Sequence, residues 1–262
     1  MKKFWEEGGG FFGRGYMEGD NSFEGYLSTP LSLNERTTRE VEGIIKILKL
    51  YPGMRILDCP SGYGRHAIRL AELGFDVLGS DINGEMLQPA IRKSDGIRNV
   101  RFVQENMLNM SYREEFDAAL NLFFSLGFFE DEEENNQVLL NFYNALKPGG
   151  KFLMHTDINI PRIQSGKYKL HERRHLRNGK ELEIIESYEP DRKRLHGQWI
   201  LINEDGTKEA LTPYSHRIYT FTEFAHLCQA TGFYKVEGYG AWDGSPLDDD
   251  SEDMIVVAEK RS

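Results

Sequence analysis

Hydrophobic and polar positions along the chain fall into two rhythms. From residue 54 onward, short apolar runs of strand length alternate with segments whose apolar positions recur every three or four residues. Strands are predicted over 54–58, 75–80, 100–104, 116–122 and 151–157. Helices are predicted over 64–73, 84–93 and 132–146, with Ala67, Ile68 and Ala71 inward in the first and Val138, Leu139, Phe142, Ala145 and Leu146 in the last. Gly74 stops the first of these helices and Asn83 caps the second. Upstream, Val41, Ile44, Ile45 and Leu48 mark one face of a helix that opens on a Ser32/Glu35 capping box and stops at Pro52-Gly53. Repeated strand–helix alternation specifies βαβ units with right-handed crossovers, hence a parallel sheet with helices on both faces.

The rhythm changes after Asp157. Strand-like runs over 168–176, 181–188, 195–202 and 214–220 follow, with Asn178-Gly179 and Asp205-Gly206 between them as hairpin turns. A helix over 222–231, stopped by Gly232, and strands over 233–239 and 253–259 then restore the alternation. The expected division is an N-terminal arm and helix over 1–53 acting as a lid, a core of 54–158 with 221–262, and an antiparallel cap over 159–220. The cap leaves the sheet at the carboxyl edge of the fifth strand, where open α/β sheets bind ligands, so it is placed to roof a site. The loop 240–246 falls at the same edge.

Composition narrows the functional classes. The chain has 262 residues, 42 acidic against 32 basic, and a net charge of −10. That argues against a nucleic-acid binder held mainly by phosphate contacts. Two cysteines, Cys59 and Cys228, are too few for a disulfide framework, and no metal site is expected. His171 and His175 have a metal-like spacing but fall on a strand, with no third ligand. The first residues turn acidic at once and lack an apolar targeting segment, and the apolar stretch 118–129 is too short to span a bilayer. A cytoplasmic location and no membrane partner are the expectation. The oligomeric state is left open.

The segment Asp58-Cys59-Pro60-Ser61-Gly62-Tyr63-Gly64-Arg65-His66-Ala67 runs from strand through a Gly loop into a helix. Gly62 and Gly64 permit a tight turn and close approach to a ligand. Gly62 to Ala67 matches the dinucleotide pattern G-x-G-x-x-A. Asp58 argues against that ligand, because a carboxylate at the end of the first strand repels a pyrophosphate. It attracts a ligand carrying an ammonium, as S-adenosylmethionine does. Asp81, at the end of the second strand and followed by Ile82, can accept both hydroxyls of a ribose, or serve as a helix cap. Asn106-Met107 can offer an amide and an apolar wall to an adenine.

On these residues the chain resembles the class I S-adenosylmethionine-dependent methyltransferases, and within them the bacterial small-molecule members. The resemblance rests on the Asp58–Gly64 loop, Asp81, Gln104-Glu105-Asn106-Met107, Phe116-Asp117 and Leu146-Lys147-Pro148-Gly149-Gly150. It is also carried by Gly64-Arg65-His66, Gln198-Trp199-Ile200-Leu201, Ser215-His216-Arg217 and Asp243-Gly244-Ser245-Pro246. It implies a Rossmann-like, seven-stranded, mostly parallel sheet with the last strand inserted antiparallel, plus an antiparallel β cap after the fifth strand. It implies S-adenosylmethionine as cofactor, bound by Asp58, Pro60, Gly62, Gly64, Asp81, Ile82, Asn106, Met107 and Asn121. Pro60 stands where the family usually has Gly, which removes an N–H donor, and Asn106 stands where an Asp is more usual.

Methyl transfer is an in-line displacement at an already activated carbon, so alignment and water exclusion do most of the work and a base is optional. The candidates for catalysis are His155 and Asp157, two residues apart on one strand face, and His216 on the returning strand of the cap. Tyr16 and Tyr26 of the arm, Arg217 and Asp243 are candidates for binding the acceptor, and Arg39 for the cofactor carboxylate. Between 159 and 200, ten basic residues face six acidic ones. The substrate roof is therefore basic, which suits an anionic small-molecule acceptor and keeps an RNA methyltransferase as an alternative. An NAD-dependent oxidoreductase is the other.

Overall fold

The computed structural model describes residues 2–21, 31–123, 125–176 and 178–262. One sheet has the order β11-β12-β5-β4-β1-β2-β3. Its parallel strands are β1 (Arg55–Asp58), β2 (Asp76–Asp81), β3 (Val100–Gln104), β4 (Phe116–Asn121) and β5 (Leu146–Thr156). The last strands, β11 (Lys235–Tyr239) and β12 (Met254–Glu259), pair antiparallel, β12 being inserted between β11 and β5. This is the expected seven-stranded sheet. Strand order reverses between β1 and β4, so the crevice lies above their carboxyl ends.

Alternation along the strands divides the core into two layers. Leu57, Ala119, Phe152 and Met154 face α5 (Glu132–Ala145) and α7 (Phe221–Thr231), with Phe142 and Phe224 fully buried there. Ile56, Ala118, Leu120 and Leu153 face α2 (Leu33–Leu48) and α3 (Arg65–Glu72). The Ser32/Glu35 capping box of α2 is formed, and Asn83 caps α4 (Gly84–Lys93) with its side chain. β5 begins five residues before its predicted start. Leu146 already pairs with Phe116, and a register shift before Ala118 leaves residues 147–150 as an irregularity within the strand, where the sequence suggests a separate turn.

The second sheet is antiparallel, in the order β10-β8-β7-β6: β6 (His171–His175), β7 (Glu181–Glu189), β8 (Arg194–Ile202) and β10 (Tyr214–Arg217). β9 (Lys208–Ala210) pairs with β8 and was not anticipated, nor was the short helix α6 (Ile160–Gln164). The arm holds another unanticipated helix, α1 (Arg14–Asn21). It lacks an apolar period because its packing uses glycine. Cβ atoms at Gly15 and Gly19, one turn apart, would meet Leu211 at 3.2 Å and Trp199 at 3.1 Å. Phe4 and Phe11 complete a small core with Phe128, Leu182, Leu201 and Tyr214 of the cap side. Among the described residues no helix is long and apolar enough to cross a membrane, and no group of three or more His, Cys, Asp or Glu could hold a metal ion.

Candidate active site

A cavity of about 890 Å³ opens where the strand order reverses, walled by the first loop, the arm and the cap. Its first end is built by backbone. Asp81 leaves β2 and accepts Gly62 N–H at 2.9 Å on one carboxylate oxygen and Asn83 N–H at 2.8 Å on the other. Each oxygen keeps a lone pair, the acceptor set a ribose diol needs. Burial pushes the Asp81 carboxyl up to about 6 against the pull of these amides. Pro60, Gly62, Ile82, Asn106 and Met107 all line this end, joined by Ser61 and Met86, which the sequence reading did not single out. Asn106 uses its side-chain oxygen to accept Leu108 N–H at 2.9 Å, capping a single 3₁₀ turn, which leaves its amide nitrogen as the donor it can offer.

Three expected cofactor residues lie outside the cavity lining. Gly64 starts α3 with φ +77°, and a Cβ there would stand 2.7 Å from both Ala90 and Phe102. Its role is packing of helix on sheet. Asn121 is fully buried and knits the chain, donating to Cys59 C=O at 2.9 Å and accepting Leu126 N–H at 3.2 Å. Asp58 is buried behind the loop, with the Ala67 amide the backbone donor that bears on it. Burial pushes it up to about 7, opposed by Arg65 and aided by Asp81.

The middle of the cavity is a charged seam between α1, α2 and α3. Arg36, one turn before the expected Arg39, is the α2 arginine that reaches the lining. Arg39 is exposed. Arg36 pairs with Asp20 of α1 at 2.7 Å, and the Tyr63 hydroxyl donates to the same carboxylate. Glu40 joins Arg65 and His66, the latter at 2.7 Å. Burial opposes ionisation of Glu40, but Arg65 and His66 outweigh it and hold the carboxyl below its usual range. Burial, then Arg65, lowers His66 to about 4, so the imidazole is neutral.

The far end lies under the cap. Asp157, Tyr16 and His216 line it, while Tyr26 lies outside the described residues. Tyr16 stacks on Trp199, 5.2 Å between centroids. His216 stacks between Phe128 and Tyr214, and burial, aided by Arg194 and His196, lowers it to about 3. It is not a proton acceptor at neutral pH. His155, two residues from Asp157, is fully buried and points elsewhere. Its Nε2 lies 2.9 Å from Asp253 and its ring packs on Phe123 and Trp242. The acid–base pair drawn from strand spacing is therefore not assembled, because Asp157 already lies past the end of β5. Arg217 turns away to Glu132 at 2.9 Å and Glu223 at 3.3 Å. Asp243 is exposed and holds its own turn through Ser245.

Sequence reading missed Glu186, Tyr168 and Tyr214, which meet at this end. Each is one residue of an unremarkable strand or loop, and no local motif marks them. The basic excess of the cap is also reorganised. Arg173 pairs with Glu183, Arg174 with Glu172, Lys180 with Glu18, Lys193 with Glu223, and Lys167 with Asp250. Arg194 is buried on the Phe129 carbonyl. Most of the cap's cations are thus matched within the molecule.

Residues 56–150 match the family model for a methyltransferase domain. The glycine/sarcosine N-methyltransferase of Halorhodospira halochloris is 29% identical over 231 residues, 87% of this chain and 83% of that protein. Among solved structures, the CcbJ methyltransferase from Streptomyces caelestis superimposes with a TM-score of 0.74 at 20% identity, covering 85% of this chain and 90% of that one. CalS10 from Micromonospora echinaspora, an amino pentose methyltransferase solved with S-adenosylmethionine bound, gives 0.64 at 19% identity, covering 88% and 92%. At these identities the structural matches speak for the fold.

Proposed function

Because the chain is a class I S-adenosylmethionine-dependent methyltransferase, we propose that it methylates a nitrogen of a small-molecule amine. The observation that carries this reading is the roofed far end of the cavity, where the carboxylates of Asp157 and Glu186 stand among aromatic rings. That is a site for an ammonium group, held by charge and by ring faces. The names of the relatives, an N-methyltransferase and an amino pentose methyltransferase, support the same class.

The residues of the first end fit the cofactor. Asp81 has two oxygens placed for the ribose hydroxyls, Ile82, Met86 and Met107 give an apolar wall for the adenine, and Asn106 has a donor for its edge. Pro60 and Gly62 bring backbone close, and Arg36, paired with Asp20, is a lining cation that a carboxylate can share. When bound, S-adenosylmethionine supplies a methyl carbon whose leaving group is already activated. What remains for the chain is to hold the acceptor in line and keep water out, the part played by Tyr16, His216 and the cap. His216 serves as a neutral aromatic wall. A cavity near 900 Å³ sits at the upper end of the roughly 300–1,000 Å³ usual for small-molecule sites, room for two ligands side by side.

The test is methyl transfer to glycine, sarcosine and D-glucosamine, read by mass spectrometry of the product and by release of S-adenosylhomocysteine. Catechol and RNA run in parallel. Transfer to an amine supports the reading. Transfer only to catechol oxygen, or only to RNA, overturns it.

A further inference from the structure

Glu186 has a setting that methyl transfer by alignment alone does not call for. It sits on β7 opposite Gly197 of β8, which in turn sits opposite Tyr214 of β10, a row of three across the cap sheet. A Cβ at position 197 would lie 2.3 Å from the Tyr214 ring. The glycine is thus what lets that ring lie across β8 and deliver its hydroxyl to Glu186 Oε1. From the other side, the Tyr168 hydroxyl donates to Oε2 at 2.8 Å. Both oxygens are gripped by neutral phenols, and each keeps a lone pair. All three side chains line the cavity, with Asp157 and Arg174 the charged groups nearest in effect.

We propose that Glu186 receives the acceptor's amino group and takes the proton that nitrogen must lose before it is methylated. The inference rests on the amine reading above. An aliphatic amine arrives as an ammonium ion, which has no lone pair to attack with. Its N–H bond breaks with the electron pair left on nitrogen, and an O–H bond forms on Glu186. That pair then makes the new N–C bond as the C–S bond breaks towards sulfur. The product leaves as an N-methylammonium ion, and Glu186 returns its proton to water. Charge balances, and no further reactant is needed.

The environment suits this task. Burial pushes the Glu186 carboxyl up to about 7, against the Tyr214 and Tyr168 hydrogen bonds. Asp157 adds to the rise and Arg174 opposes it. A base near the working pH is the most effective compromise between availability and strength. The phenols are themselves held well above their usual range, chiefly by burial and by the Glu186 charge, so they remain donors.

The experiment compares the wild type with Glu186→Gln, which keeps size and an acceptor oxygen for one of the two tyrosines but cannot take a proton. Protein saturated with S-adenosylhomocysteine is titrated with D-glucosamine and sarcosine, following the ¹³C signal of the Glu186 carboxyl, assigned by its loss in the variant. The signal is expected to titrate near neutrality and to move with an amine. Glu186→Gln is expected to bind that amine at least 10-fold more weakly and S-adenosylhomocysteine equally well. It should also lose about 100-fold or more in kcat/KM together with the acidic limb of the pH profile. Gly197→Ala, which displaces Tyr214, should move that limb upward. A signal that titrates as an ordinary carboxylate and ignores the amines overturns the proposal. So does amine methylation whose rate and pH profile survive Glu186→Gln, and that result leaves the amine reading standing. Transfer to oxygen alone removes the amine reading, and Glu186 as amine receptor with it.

Discussion

The two ends of the cavity are built by different means. The end proposed for the cofactor uses the carboxyl tips of three adjacent strands, and its hydrogen bonds come from main-chain amides to Asp81. The end proposed for the acceptor gathers side chains from the arm, the stretch after β5, β7, β8 and β10. A site made from backbone is set by the fold and serves a ligand common to many enzymes. A site made from converging side chains can change one residue at a time, which is how a single scaffold acquires different acceptors.

The sharpest way to break this contrast is to weaken the packing beneath each end. Phe142→Ala removes a fully buried ring beneath the sheet and should cost about 3–5 kcal/mol of unfolding free energy, read from urea midpoints. It should depress S-adenosylhomocysteine binding and amine binding together, by populating unfolded chain. Phe11→Ala removes a ring from the seam where the arm meets Trp199 and Tyr214. Here the arm can lift locally, so the global cost is capped below that of Phe142→Ala. Amine binding should fall while S-adenosylhomocysteine binding holds. Equal effects of the two variants on both ligands would show that arm, cap and core unfold as one unit.

The next test stays at the cofactor end. Asp81→Ala removes the acceptor of two backbone amides and, on the proposed reading, of the ribose diol, and should weaken S-adenosylhomocysteine about 100-fold, roughly 2–3 kcal/mol by calorimetry. The sign of the pH effect follows from the same residue. The carboxyl titrates near 6 in the folded protein, above its unfolded value, and the ionised form is the better acceptor. Affinity should therefore fall as pH drops from 7 to 5 and rise no further above 7. The raised value also means that this group favours folding most at low pH, a contribution lost as pH rises through 6. A flat pH response of binding would remove Asp81 from the ribose.

This difference also sets what the sequence could tell. Alternating strand and helix periods, Asn83, and the Ser32/Glu35 pair are local signals, and the elements they specify are present. Asp81, Ile82 and Met107 were legible because a strand end puts them at the edge whatever follows. Legibility failed where a side chain's direction depends on a distant partner. His155 and Asp157 share strand spacing, but Asp253, 98 positions away, takes the histidine. Arg39 and Arg36 are equally plausible on a helix until α1 supplies Asp20 to one of them. Helix α1 escaped notice because glycine, the residue that weakens a helix in isolation, is what lets this one lie on Trp199. Glu186 needs two tyrosines from separate segments, and no window of sequence holds all three.

The smallest expected effects discriminate best between charge counted along the chain and charge placed in space. The ten basic residues of the cap region suggest an anion receptor, and Arg217 beside them a carboxylate clamp. The folded molecule turns Arg217 to Glu132 and Glu223, away from the cavity. Arg217→Ala removes a largely buried side chain that pairs with two carboxylates, donates to Ile218 C=O and lies over the Tyr219 ring; it should cost about 1–3 kcal/mol of stability and change kcat/KM for an amine by less than about threefold. Salt should remove only part of the stability loss, the part owed to the half-exposed Glu132 partner. Loss of acceptor binding in this variant, with S-adenosylhomocysteine binding intact, would mean that Arg217 swings inward when the acceptor arrives. The acceptor end would then be assembled by its ligand, whereas Glu186, already held by two phenols, argues that it is assembled beforehand.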